Sequence, residues 1–270
     1  MNMFTFQKLI RLETNLLDES RVKLVRHKDS RVEYRDIIKD KNSILEYQKI
    51  QSKEVFKNTD FIVTFIGQES TKSLFFGIFK VGDVSIQNGK YYYDLIKTNL
   101  CKEFIDRVVI DWGKSAIKWE QWYDKNSKEV IEILPKGFIG DFPGLTNFVL
   151  TFDELSKLVE NPDANREWRN HLSSINGIYM ILDKSSGNQY IGSAYGKEGI
   201  WQRWSEYAKT KHGGNKSLIE LIEKDNNHQK NFQYTVLQSL PSNLNSKEVI
   251  RIENLYKIKF GSKTYGLNEN

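Results

Sequence analysis

Residues 177–193 read GIYMILDKSSGNQYIGS. The apolar run 177–182 has the length of one buried strand, and DKSSG (183–187) is rich in residues that turn a chain. A second run, 189–193, follows at once, so the two are expected to pair as an antiparallel hairpin. Toward the C-terminus, the pattern predicts helices over 199–209 and 216–224 and a third strand over 232–240. A long helix is expected over 246–260. It carries Val249, Ile252, Leu255 and Tyr256 on one face, and Gly261 ends it. The expected domain is therefore a small three-stranded antiparallel sheet flanked by helices.

Toward the N-terminus, Thr151 precedes FDELSKLVE with Glu154 at the spacing of a capping box. Asn161-Pro162 stops that helix, and a second begins over 163–172. The runs FIVTFIG (61–67) and LFFGIFKV (74–81) predict a hairpin of buried strands, with further strands at 91–95 and 107–111. The first fifty residues look mixed and largely helical, with a short strand at 22–25. The chain is thus expected to be α+β throughout. It divides into an N-terminal α+β domain with a small curved sheet (1–150), a helical connector (151–173) and a C-terminal domain (174–270).

Bulk properties narrow the function classes. The 270 residues suffice for two domains, and 39% hydrophobic with 13% aromatic content excludes global disorder. The net charge of +5 permits a polyanionic partner without requiring one. Residues 173–270 hold 13 Lys and Arg against 9 Asp and Glu, a local excess that suits a phosphate backbone. A single cysteine, Cys101, allows neither an intramolecular disulfide nor a cysteine zinc site, which fits a reducing cytoplasm. The start, MNMFTFQKLIRLETN, lacks the apolar core of a signal peptide, and no run approaches the ~20 residues of a membrane span. A cytoplasmic protein with no membrane partner is expected.

Five features line up in order in the C-terminal third: Gly177-Ile178-Tyr179, Tyr190-Ile191-Gly192, Arg203, Glu253 and Asn268. Arg203 and Tyr207, four apart, share one helix face. Either triplet alone would be a weak signal; the ordered set is specific. Over about residues 174–270 the chain resembles the GIY-YIG endonuclease family, with both namesake triplets intact. It departs where some members place a Lys after the second triplet and this chain has Ser193. Either another cation such as Lys197 takes that role or the role is dispensable.

The chemistry of phosphodiester hydrolysis explains the residue types. A helix carboxylate such as Glu253 can hold a hard cation, Mg2+ or Mn2+, with water and phosphate oxygens completing its shell. The alternative for Glu253 is an ordinary i,i+4 pair with Lys257. Arg203 suits two oxygens of the scissile phosphate; its alternative is an ion pair with Glu206 or Glu198. The resemblance implies that Tyr179 positions or deprotonates the attacking water, that Tyr190 binds phosphate or water, and that Tyr207 orients a neighbouring group. For the tyrosines, the alternative is core packing. His212 is either an acid or phosphate contact or a loop histidine. Asn268 is expected to tie the C-terminus to the site. Trp168, Trp201 and Trp204 would either stack on bases or pack in the core. Lys211 and Lys216 are expected to join Arg203 in touching DNA.

In the N-terminal part, RVKLVRHK (21–28) is a basic run, read as a solvated face or a phosphate contact. DWGKSAIKWEQW (111–122) interleaves three Trp with Lys114 and Lys118; exposed, it suits DNA contact, and buried, it is core. The resulting expectation is a metal-dependent DNA endonuclease of restriction or defence type. Its N-terminal domain would select a target in double-stranded DNA, modified or unmodified, and a homodimer or two successive nicks would cut both strands. A non-catalytic DNA-binding protein on a degenerate nuclease core, or a repair or homing nuclease, is the alternative.

Overall fold

The computed structural model describes residues 3–28, 41–113 and 118–269. The chain forms two compact units, Met1–Pro135 and Lys136–Asn270. Both mix helices and sheet, so the α+β expectation holds at the level of class.

The first unit begins with α1 (Phe6–Arg11), β1 (Val22–His27), α2 (Lys41–Lys49) and β2 (Ile50–Gln51). Six strands follow: β3 (Phe61–Gly67), β4 (Lys72–Gln87), β5 (Lys90–Lys97), β6 (Val108–Asp111), β7 (Glu120–Trp122) and β8 (Val130–Ile133). They form an eight-stranded sheet in the order β2-β5-β4-β3-β1-β7, with β6 joining β4 to β8. The expected hairpin is present, with β3 antiparallel to β4, but β3 also pairs in parallel with β1.

That parallel pair is buried on both faces, as parallel strands usually are. Phe65 and Leu24 face one apolar cluster, and Ile62 and Val25 face the other. All six residues of β1 are buried, including Lys23, Arg26 and His27. The middle of the basic run, 22–27, is therefore core rather than a solvated face, and only Arg21 and Lys28 at its ends are exposed. Lys23 donates to the Val55 carbonyl (2.6 Å) and pairs with Glu120 (2.9 Å), which offsets the desolvation of its charge. Arg26 donates to the Ser70 carbonyl (2.9 Å), and His27 meets Gln48 (3.2 Å). Trp112 lies in the core with its indole N–H on the Lys118 carbonyl (3.0 Å), which favours the core reading of that segment. The Lys118 side chain is exposed, and Lys114 lies outside the described residues.

The second unit contains β9 (Leu150–Thr151), α3 (Phe152–Glu160), α4 (Arg166–Ser173), β10 (Asn176–Asp183) and β11 (Gln189–Ala194). After these come α5 (Gly199–Thr210), α6 (Lys216–Lys224), β12 (Phe232–Leu240), α7 (Ser246–Phe260) and α8 (Ser262–Tyr265). The sheet is antiparallel and has four strands, ordered β11-β10-β12-β9, rather than the three expected. The extra strand is two residues long, too short to leave a periodic signal in the sequence.

Residues 151–173 do more than connect. The capping box at Thr151 and Glu154 forms, and Leu155, Leu158, Trp168 and Leu172 enter the same core as Tyr179 and Trp204. The loop before them is pinned to this unit as well. The Asn165 side chain holds the Gly137 carbonyl (2.9 Å) and the Ile139 amide (3.0 Å), and the Trp168 indole donates to the Gly140 carbonyl (2.8 Å). Trp168, Trp201 and Trp204 are buried, so they serve the core and are not free to stack on bases.

The sheet has two covered faces. One carries Tyr179, Ile181, Tyr234 and Val236 against α3, α4 and α5. The other carries Ile178, Ile191 and Leu240 against Val249 of α7. On α7 the inward stripe is Val249, Ile252, Tyr256 and Lys257, while the expected Leu255 is 49% exposed. Lys257 takes an inward position because a carboxylate one turn earlier receives its charge.

Candidate active site

Tyr179 lies opposite Gly192 in the β10–β11 register, with its side chain on the α5 face. A β-carbon on residue 192 would collide with the Tyr179 hydroxyl, so glycine is what lets the phenol lie across β11. Tyr190, two residues earlier on β11, shares that face, with ring centroids 6.4 Å from Tyr179. Helix α5 then brings Arg203 and Tyr207 onto the same phenol. The Tyr179 and Tyr207 hydroxyls are 3.1 Å apart. Arg203 donates from Nε to Tyr179 (3.2 Å) and from Nη2 to Tyr207 (3.3 Å), and its Nη1 meets Glu206 at 2.6 Å. All three guanidinium nitrogens are engaged, which fixes the plane of the fork.

Electrostatics sort these groups. Tyr179 and Tyr207 have no exposed surface, and burial pushes both phenols well above the ordinary tyrosine range. They are neutral hydroxyls at pH 7, suited to positioning and poorly suited to taking a proton. Burial works against the charge on Arg203, but Tyr179, Tyr207 and Glu206 outweigh it and keep the side chain cationic.

Glu253 approaches from α7, on the other face of the sheet, past the outer edge of β11. One carboxylate oxygen meets Lys257 Nζ at 2.6 Å, and the other accepts a hydrogen bond from Ser193. Glu253 and Lys257 are 14% and 8% exposed, so this pair is not a solvated surface bridge. Glu253 thus makes the i,i+4 pair with Lys257, in a buried rather than a solvated form, and it also lines a cleft. That cleft, about 560 Å³, is lined by Tyr179, Tyr190, Arg203, Glu253 and Lys257 among others. A second cavity of about 360 Å³ continues past Tyr190, Arg203 and Lys257 to Lys216 and Asn268.

Asn268 closes the edge of β11. Its Oδ1 accepts from the Ile191 amide and its Nδ2 donates to the Ile191 carbonyl, both at 2.8 Å, as a neighbouring strand would. The remaining expected residues are less central. His212 sits in the turn after α5, where its Nδ1 accepts from the Gly214 amide (2.9 Å), and it lines neither cavity. Lys211 Nζ donates to the Asn226 carbonyl (3.2 Å). Lys197 is exposed and lines neither cavity. Lys257 lines both. Its i,i+4 spacing from Glu253 is legible in the sequence, but spacing alone does not reveal that the pair is buried in a cleft.

Among the described residues, no group of three or more His, Cys, Asp or Glu side chains gathers, so a protein cage is absent there. Glu206, the other carboxylate in the cleft, is committed to Arg203. The donor set fits an ion held by one carboxylate, with water and phosphate oxygens supplying the rest. Among the described residues, no helix is long and apolar enough to cross a membrane.

No family model matches the chain, and no curated protein matches it. Two solved structures are similar to part of it. The catalytic domain of intron endonuclease I-TevI, as a point mutant, is 24% identical over 36% of this chain and 94% of its own, with a TM-score of 0.30. The catalytic domain of homing endonuclease I-TevI is 26% identical over 34% of this chain and 96% of its own, with a TM-score of 0.28.

Proposed function

We propose that the unit formed by residues 136–270 is a metal-dependent DNA endonuclease that hydrolyses phosphodiester bonds. The observation that carries this reading is convergence. Two phenols from a hairpin, a guanidinium from α5 and a carboxylate from α7 all line one cleft, although they are spread over 75 positions of the sequence. A phosphodiester needs cationic donors for its non-bridging oxygens, a positioned water and help for the leaving oxygen. Arg203 supplies the first, its fork held in plane by Tyr179, Tyr207 and Glu206. Tyr190 orients water through its hydroxyl; Tyr179, whose buried hydroxyl is taken by Arg203 and Tyr207, holds the guanidinium in place rather than acting as the base. Glu253 would hold Mg2+ or Mn2+, which when bound neutralises phosphate charge and acidifies water.

Lys216 lines the cavity next to Arg203 and suits the neighbouring backbone phosphates. The first unit would choose the target in double-stranded DNA, modified or not, in a restriction or defence setting. A homodimer would deliver the second cut. Plasmid cleavage in Mg2+ by the wild type, Glu253→Gln and Arg203→Ala tests the assignment. Each variant should fold and lose at least about 100-fold in rate, the scale of one charge-stabilising donor. Near wild-type activity in Glu253→Gln would refute the metal role. DNA binding without cleavage by the wild type would return the non-catalytic alternative.

A further inference from the structure

Both oxygens of the Glu253 carboxylate are already taken, one by Lys257 and one by Ser193. A divalent ion arriving there meets an ammonium in direct contact with its ligand, and like charges at that distance repel strongly in a partly buried site. Lys257 is also one of three residues that line both the main cleft and the second cavity, the others being Tyr190 and Arg203. Its four-carbon stem is long enough to turn the ammonium from one to the other. The second cavity also carries Lys216, so it is the more basic of the two and the natural place for a phosphate.

We propose that Lys257 is the internal counterion of the metal-holding carboxylate, and that it transfers from Glu253 to a DNA phosphate in the second cavity when the metal binds. This rests on the nuclease reading above and adds a regulated order to it. In the free protein, Lys257 occupies the carboxylate and keeps metal affinity low. A phosphate in the second cavity draws the ammonium away and frees Glu253. Lys257 would be displaced in the same direction by a divalent ion on Glu253, so DNA and metal would each strengthen the binding of the other by the same factor. The cation absent after the second triplet, where Ser193 stands, is thereby supplied from α7, one helical turn beyond the carboxylate it guards.

The test separates metal binding from catalysis. Mn2+ affinity of the full chain without DNA is read by electron paramagnetic resonance for the wild type, Lys257→Met and Lys257→Arg. Lys257→Met should bind Mn2+ at least about 5-fold more tightly, the lower end of ordinary coupling factors, because the competitor is gone. The same variant should cleave DNA about 100-fold more slowly, because the phosphate loses a cation. Lys257→Arg should keep weak Mn2+ binding. A merely structural lysine predicts the opposite sign, with metal affinity unchanged or reduced in Lys257→Met, and that result would overturn the proposal. Should Lys257→Met fail to fold, the wild type carries a second readout. Its Lys257 ammonium resonance, followed by isotope-edited NMR, should shift as Mg2+ saturates the site, and an unmoved resonance would also overturn the proposal. Absence of any divalent binding by the wild type with duplex DNA present, beyond that of the DNA alone, would refute the metal-dependent reading itself.

Discussion

The Tyr179 hydroxyl occupies the space that a side chain on residue 192 would need, so the two sequence triplets are two halves of one steric arrangement. Gly192 has no positive backbone angle to explain it; its constraint is the phenol lying across it. Gly192→Ala should therefore displace Tyr179 and, through their shared hydrogen bonds, Arg203. The expected outcome is at least about a 100-fold fall in cleavage rate, with circular dichroism showing an intact fold. Full activity would mean that the phenol is not needed where it sits.

Arg203 should not tolerate lysine. Its Nε and Nη2 each reach a different phenol and its Nη1 reaches Glu206, a geometry that a point charge cannot reproduce. Arg203→Lys should lose nearly as much activity as Arg203→Ala, measured as kcat on a short duplex. Substantial rescue by Lys would show that charge alone suffices.

Asn268 makes two buried hydrogen bonds to Ile191. Asn268→Ala leaves the Ile191 amide and carbonyl unpaired, at about 1–3 kcal/mol for each unsatisfied group. A total loss of about 2–6 kcal/mol is expected, read from urea unfolding, together with faster amide exchange at β11. Asn268→Asp should rescue only the half in which the Ile191 amide donates.

Stability of the first unit should fall in mild acid. Burial lowers the His27 pKa from 6.5 to about 4. Between these values the unfolded chain binds a proton that the folded one refuses. The stabilisation is therefore complete above about pH 6.5 and is lost as the pH drops toward 4. The 2.5 pH units correspond to a loss on the order of 3 kcal/mol. Amide exchange in β1 and β3 should accelerate over that window, and His27→Gln should flatten the response. A flat wild-type profile would contradict the burial assignment.

Much of the second unit was legible because its elements are long and periodic. The β10–β11 hairpin, β12, α5, α6 and the Gly261 stop at α7 fall within a residue or two of where residue spacing puts them. Short or aperiodic parts were not legible. Strand β9, with two residues, and the loop joined to Asn165 and Trp168 acquire their place only through tertiary contacts. Charged residues misled in both directions. Lys23 and Arg26 are buried because distant partners accept their hydrogen bonds and charge, and a linear pattern does not display those partners; for Lys257 the partner is legible at i,i+4 but the burial of the pair is not.

Local sequence determined which residues form strands and helices, where the helices are capped and which groups are candidates for the chemistry. These depend on neighbours within a few positions. The tertiary fold alone decided that β11 is an edge strand, which lets α5 and α7 reach round it from opposite faces and bring Arg203, Glu253 and Lys257 into one cleft. Side chains 50 residues apart in sequence meet only after the sheet has set the distance between the helices that carry them.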